Sequence, residues 1–125
     1  MYLIFDTSVI IEIERENKDF IQKVIELKKS YPRLPKIPFI VYYEFIHGIR
    51  KRNLKNKIKA EKIINAFDVI HTTNKTARNL SYLKDKYEFP LADLLVVSQV
   101  MEINGILVTR DKDFDKIEEI NKIIL

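Results

Sequence analysis

Short, wholly apolar runs alternate along this chain with longer segments whose apolar residues recur at helical spacing. Tyr2–Phe5 is the first such run and reads as a buried strand. Thr7 or Ser8 is placed to cap a helix from Val9 to about Arg15. A second helix covers Asp19–Lys29, where Phe20, Ile21, Val24, Ile25 and Leu27 fall close to the helical period. Tyr31-Pro-Arg-Leu-Pro35 interrupts, and Lys36–Ile40 reads as a second strand whose pairing Pro38 limits. Val41–Ile49, ending near Gly48, and the Lys-rich Asn53–Ala66 read as helices, and Phe67–Ile70 as a third strand. Thr73–Tyr87 carries Ala77, Leu80 and Leu83 on one helical face. Pro90 suits the first turn of the next helix, Leu91–Ile103, which Asn104-Gly105 closes. Ile106–Thr109 is a fourth strand and Lys122–Leu125 a short fifth.

Strands that alternate with helices predict an α/β fold around a mostly parallel sheet. Each strand is apolar along its whole length, as expected where helices cover both faces of the sheet. At 125 residues, with no linker, repeat or low-complexity tract, the chain is expected to form one domain over residues 1–125.

Composition removes several chemistries. Hydrophobic residues at 46% and charged residues at 32% belong to a globular chain, not a disordered one. With Cys 0 there is no disulfide, thiolate metal site or cysteine nucleophile. Only His47 and His71 are present, too few for a three-His zinc site. The two glycines, Gly48 and Gly105, cannot write either Gly-rich phosphate-binding motif. The apolar start Met1–Phe5 lacks a basic leader and is cut by Asp6, so neither a secretory signal nor a membrane span is expected, and a cytoplasmic location is. A net charge of +4 leans mildly towards a polyanionic partner. Arg50-Lys51-Arg52, with Lys55, Lys57, Lys59 and Lys62 beyond, is either a solvated helix face or a phosphate-contacting patch.

Four acids stand where water is not expected. Asp6 directly follows the first strand, Glu44 lies inside Ile40-Val-Tyr-Tyr-Glu-Phe-Ile46, Asp93 lies in a helix apolar around most of its circumference, and Asp111 follows the fourth strand with Asp113 just beyond. Each has an ordinary explanation: Asp6 as a turn residue before its capping neighbours, Asp93 in a favourable first turn, Glu44 paired with Arg or Lys, Asp111 and Asp113 as loop polars. Together they suggest more, because ligands of a parallel α/β sheet bind beyond the carboxyl ends of its strands. Several carboxylates gathered there repel unless a divalent cation neutralises them, and oxygen ligands suit Mg²⁺ or Mn²⁺.

Phe5-Asp6-Thr7-Ser8-Val9-Ile10, Glu44-Phe45-Ile46-His47-Gly48, Leu91-Ala92-Asp93-Leu94-Leu95-Val96 and Leu107-Val108-Thr109-Arg110-Asp111-Lys112-Asp113-Phe114 occur in this order across nearly the whole chain. The set resembles the PIN-domain family, and within it the VapC toxins of toxin–antitoxin modules. The resemblance implies a three-layer α/β/α sandwich with strand order three-two-one-four-five, and a Mg²⁺- or Mn²⁺-dependent ribonuclease. It implies Asp6, Glu44, Asp93 and Asp111 as the acidic cluster, Asp6, Asp93 and Asp111 as metal ligands with Asp113 as an alternative contributor, and Thr7, Ser8 and Thr109 as polar supports. It further implies an RNA substrate, a small antitoxin partner and a homodimer. Arg50, Lys51, Arg52 and Arg110 are candidate RNA contacts, Arg110 being equally placed to pair with a neighbouring acid. Tyr42 and Tyr43 are expected in the helical core, with base stacking as their other role, and His47 in the core or behind the acids.

Two rival readings remain. One is a non-catalytic PIN domain that binds RNA or protein. The other is a haloacid-dehalogenase-like phosphatase or receiver-type phosphoacceptor, which the sequence disfavours because Ser8 stands where the phosphatase wants a second Asp and the receiver's acid pair is missing.

Overall fold

The computed structural model describes Met1–Leu125. Its strands are β1 (Leu3–Phe5), β2 (Lys36–Pro38), β3 (Asp68–Ile70), β4 (Ile106–Thr109) and β5 (Asn121–Ile124). Its helices are α1 (Thr7–Glu14), α2 (Lys18–Ser30), α3 (Phe39–Ile49), α4 (Leu54–Ile64), α5 (Asn74–Lys86) and α6 (Leu91–Ile103), with a 3₁₀ turn at Lys112–Lys116. The strands form one sheet in the order β3-β2-β1-β4-β5, and every neighbouring pair is parallel. Right-handed crossovers towards β3 put α1 to α4 on one face, and the reversed step from β3 to β4 puts α5 and α6 on the other. This is the three-layer α/β/α sandwich expected from the sequence.

The central strands explain why no polar alternation is visible in them. Leu3, Ile4 and Phe5 of β1 and Leu107 and Val108 of β4 are all buried, packed from both sides. In α6, Leu94, Val96, Val97 and Val100 are buried, and so are Ser98 and Gln99. Ser98 Oγ donates to the Leu94 carbonyl (2.8 Å), and Gln99 Nε2 to the Ile70 carbonyl (2.6 Å), which ties α6 to the end of β3.

Asn104 closes α6 in the left-handed conformation (φ 50°). Gly105 follows because a Cβ there would overlap Ile4 Cδ1 and crowd the Tyr2 carbonyl oxygen at 3.1 Å. A side chain at this position would have to displace Ile4 from its packing between β1 and β4.

The largest departure from expectation is at β2, which ends at Pro38, with the apolar continuation Phe39-Ile40 already the first turn of α3. α3 ends at Ile49, as expected. No helix is long and apolar enough to cross a membrane.

Candidate active site at the carboxyl edge of the sheet

β1 and β4 are adjacent, and their crossovers leave in opposite directions, so a crevice opens beyond their carboxyl ends. Asp6 occupies it from β1 and is buried, with 7% of its surface exposed. It is itself the N-cap of α1, accepting from the Val9 amide at 3.3 Å, so neither Thr7 nor Ser8 caps the helix as the sequence suggested. The two hydroxyls serve carboxylates instead. Ser8 Oγ donates to Asp6 Oδ1 (2.6 Å), and Thr7 Oγ1 donates to Glu44 Oε1 (2.9 Å).

The second oxygen of Asp6 accepts from the hydroxyl of Thr109, the last residue of β4. Thr109 Oγ1 in turn accepts the Asp111 amide (3.0 Å), and Ser8 Oγ accepts the Arg110 amide (3.0 Å). Asp111 caps the 3₁₀ turn by accepting the Asp113 amide (2.9 Å). Hydroxyls from opposite ends of the chain thus hold one carboxylate in a single orientation. Burial pushes the Asp6 carboxyl above its usual range, and the bonds from Ser8, Thr109 and Val9 pull it back only in part.

Asp93, in the first turn of α6, is half-buried. Burial raises its carboxyl first, and then, in decreasing order, the charges of Asp111, Glu44, Asp6 and Asp113. The charges that act on Asp93 are thus the four other acids singled out from the sequence, Asp6 just past β1, Glu44 on α3, and Asp111 and Asp113 at the 3₁₀ turn after β4. Glu44 is exposed rather than enclosed by its bulky neighbours. Helical rotation explains this, since Val41, Phe45 and Ile49 take the buried face of α3 and Glu44 does not share it.

None of these five carboxylates forms an ion pair. The salt bridges of the molecule engage Glu12, Glu14, Glu16, Glu26, Asp68 and Glu119 instead. An uncompensated set of carboxylate oxygens suits a small hard cation, so the donors fit Mg²⁺ or Mn²⁺. No three His, Asp or Glu side chains stand close enough together to hold one ion. All of the five except Asp6 are exposed or half-buried.

The candidate cations divide. Arg110 pairs with Glu12 (2.8 Å) and lies over the Phe20 ring at 5.5 Å, the acid-pairing alternative of its two roles. Arg52 pairs with Glu14. Arg50 Nη1 donates to the His47 carbonyl (2.6 Å), and neither Arg50 nor Lys51 enters a salt bridge.

Sequence reasoning missed Glu12, which is buried and holds Arg110, Arg15 and Asn17 (2.7 Å) on one carboxylate. The signal was present: Glu12 sits between Ile11 and Ile13 as Glu44 sits between Tyr43 and Phe45. Also unforeseen is a groove of about 210 Å³ between α1 and α3, bounded by Thr7, Arg15, Glu44 and Arg52, where Gly48 leaves the α3 wall bare.

The family model described as PIN domain matches residues 3–120. No curated protein matches the chain in sequence. Among solved structures, a chain of VapBC2 from Rickettsia felis, bound to a DNA fragment from its promoter, is 20% identical with TM-score 0.86, covering 100% of this chain and 99% of that one. A chain of DNA-bound VapBC from Salmonella typhimurium is 18% identical with TM-score 0.81, covering 99% and 98%. PAE2754 from Pyrobaculum aerophilum is 13% identical with TM-score 0.66, covering 98% and 90%. At these identities the likeness is one of fold.

Proposed function

Since the chain belongs to the PIN-domain family, we propose that it is a divalent-metal-dependent endoribonuclease, the toxin of a VapBC-type pair. The observation that carries this reading is the hydrogen-bonded network at the carboxyl edge, in which Thr109 joins Asp6 to Asp111 and Thr7, next to Asp6, bonds Glu44, with no lysine or arginine partner for any of these acids or for Asp93 and Asp113. Charge gathered in this way destabilises the fold unless something cationic offsets it, and the carboxyl edge of an α/β sheet is where ligands bind.

Asp6 and Asp93 would hold a Mg²⁺ or Mn²⁺ ion, and Asp111, with Asp113 as the alternative, would complete its shell or orient the attacking water. A divalent cation supplies polarisation of a phosphoryl oxygen and acidification of a water at neutral pH. The protein's own part is positional. Ser8 and Thr109 fix the Asp6 carboxylate, and Thr7 bonds the Glu44 carboxylate. Of the four cations nominated for RNA, Arg50 and Lys51 form no ion pair and would meet its phosphates.

The partner in this proposal is a small antitoxin, the oligomer a homodimer, the location the cytoplasm, and residues 1–125 one domain. A toxin–antitoxin complex from Klebsiella pneumoniae shares the fold and supports the partner.

A second reading, a PIN domain that binds RNA or protein without cleaving, is favoured by one observation: no three acids approach closely enough to hold an ion. RNA cleavage with Mg²⁺, with Mn²⁺ and in EDTA decides between the two. Metal-dependent cleavage that Asp93→Asn abolishes is expected. Binding without cleavage in any metal selects the second reading, and hydrolysis of a phosphate monoester instead of RNA overturns both.

A further inference from the structure

The outward face of α3 does not follow the sequence expectation. Tyr43 is 50% exposed and Phe39 is 43% exposed, and His47 is exposed as well. These three stand at i, i+4 and i+8 and so share one face of the helix. The Tyr43 and His47 rings are stacked, with centroids 5.6 Å apart and planes 13° from parallel. Tyr42, by contrast, is half-buried and donates its hydroxyl to Asn65 (3.0 Å). Three exposed rings in line present apolar surface to water that the core does not use.

The position of this line identifies its use. Tyr43 precedes Glu44, whose carboxylate accepts from the hydroxyl of Thr7, the neighbour of Asp6. The far end of the line reaches Arg50 and Lys51, which form no ion pair, and the nearby Arg52 and Arg110 are already held by Glu14 and Glu12. A polyanion approaching five carboxylates is repelled by them, and the unpaired lysines nearby, Lys51 and, on α4, Lys55, Lys57 and Lys62, offset this by contacting phosphates, not bases. Attraction that does not depend on charge adds to theirs, and flat π faces supply it to unpaired bases.

We infer that Phe39, Tyr43 and His47 on α3 form a stacking platform for the bases of single-stranded RNA beside the acidic crevice. The inference rests on the nuclease reading and adds what that reading lacks: how a strand is held where the acids repel it. It also restricts the substrate to unpaired segments, because bases inside a duplex cannot lie on the rings.

The test is binding of a fluorescein-labelled single-stranded RNA by anisotropy in EDTA, where no cleavage occurs, beside cleavage of the same RNA in Mg²⁺. Tyr43→Ala is expected to weaken binding roughly tenfold, and Tyr43→Phe to stay within about twofold because the ring is kept. An oligomer with abasic sites is expected to bind wild type weakly and to be indifferent to Tyr43→Ala. Unchanged binding by Tyr43→Ala, with metal-dependent cleavage intact in wild type, overturns the platform and leaves the nuclease reading standing. Wild type that neither binds nor cleaves RNA overturns both. Sedimentation velocity is run on each variant. A Tyr43→Ala protein that falls from dimer to monomer while binding RNA as before overturns the platform and assigns the face to a second copy of the chain.

Discussion

The Thr109 hydroxyl donates to the Asp6 carboxylate, joining residues 103 positions apart in the chain at the point where the strand order reverses. One side chain thus serves both central strands, because the same hydroxyl accepts the Asp111 amide. Thr109→Val keeps the shape and removes both bonds. Loss of a bond to a buried, charged acceptor costs on the order of 1–3 kcal/mol. Urea unfolding at neutral pH should show a loss in that range, shrinking in acid as Asp6 protonates and needs the bond less. An unchanged midpoint at neutral pH would show that the bond contributes nothing.

The raised carboxyls of Asp6 and Asp93 set a pH dependence opposite to that of salt-bridged acids. A folded-state pKa above the unfolded value means the native state binds the proton more tightly. The stabilising contribution is then full below the unfolded value, near 3.8 for Asp, and is lost as pH rises through the raised folded value. With respect to these two groups, metal-free protein should melt higher in mild acid than at neutral pH, and Asp93→Asn should flatten that slope. Mn²⁺ competes with the proton for the same oxygens, so its stabilisation, ~2.7 kcal/mol at a hundredfold excess over Kd, should grow with pH. Thermal melts across pH, with and without Mn²⁺, measure both trends, and a Mn²⁺ effect that survives Asp93→Asn undiminished would remove that residue from the ion's site.

Much of this was legible in the sequence where local chemistry sets the structure. The bounds of α6 and β4 follow from Pro90, Asn104 and Gly105, each of which acts on its immediate neighbours. The first cap was not legible, because Asp6, Thr7 and Ser8 are all good N-caps and the choice depends on Thr109 far along the chain. The exposure of Glu44 was misjudged for another reason: bulky neighbours in sequence occupy other faces of a helix. The pairing of Arg110 depended on Glu12, which only the docking of α1 against β4 brings within reach.

The two glycines should respond to alanine with opposite signs. At Gly48 a Cβ meets nothing within 4 Å, and the residue lies inside α3. Gly48→Ala should raise stability by about 0.5–1 kcal/mol through helix propensity. At Gly105 the Cβ would press on Ile4 and on the Tyr2 carbonyl. Gly105→Ala should cost on the order of 1–3 kcal/mol, partly restored by Ile4→Val, which removes the nearest atom. Thermal melts of wild type and these variants read this directly. Equal effects at the two positions would contradict the packing of β4 against β1.

The four cations nominated for RNA should separate into two kinds when melting and binding are measured together. Arg110 and Arg52 are tied to Glu12 and Glu14. Their side chains are 46% and 42% exposed, so each pair contributes about 1 kcal/mol rather than the larger sum of a buried pair. Arg110→Ala also strips the Phe20 ring of its cover and leaves Glu12 with Arg15 and Asn17 alone. It should therefore lower the melting temperature, and any loss of RNA affinity should accompany that fall. Arg50→Ala and Lys51→Ala break no ion pair, so the melting temperature should hold while affinity drops. Removing one cation that neutralises a phosphate should also reduce the slope of log affinity against log salt by about 0.7, the value for single strands. Titrations at several salt concentrations measure that slope. A slope unchanged in both Arg50→Ala and Lys51→Ala would mean the strand does not pass the end of α3, and the path of the RNA would have to be drawn over another face.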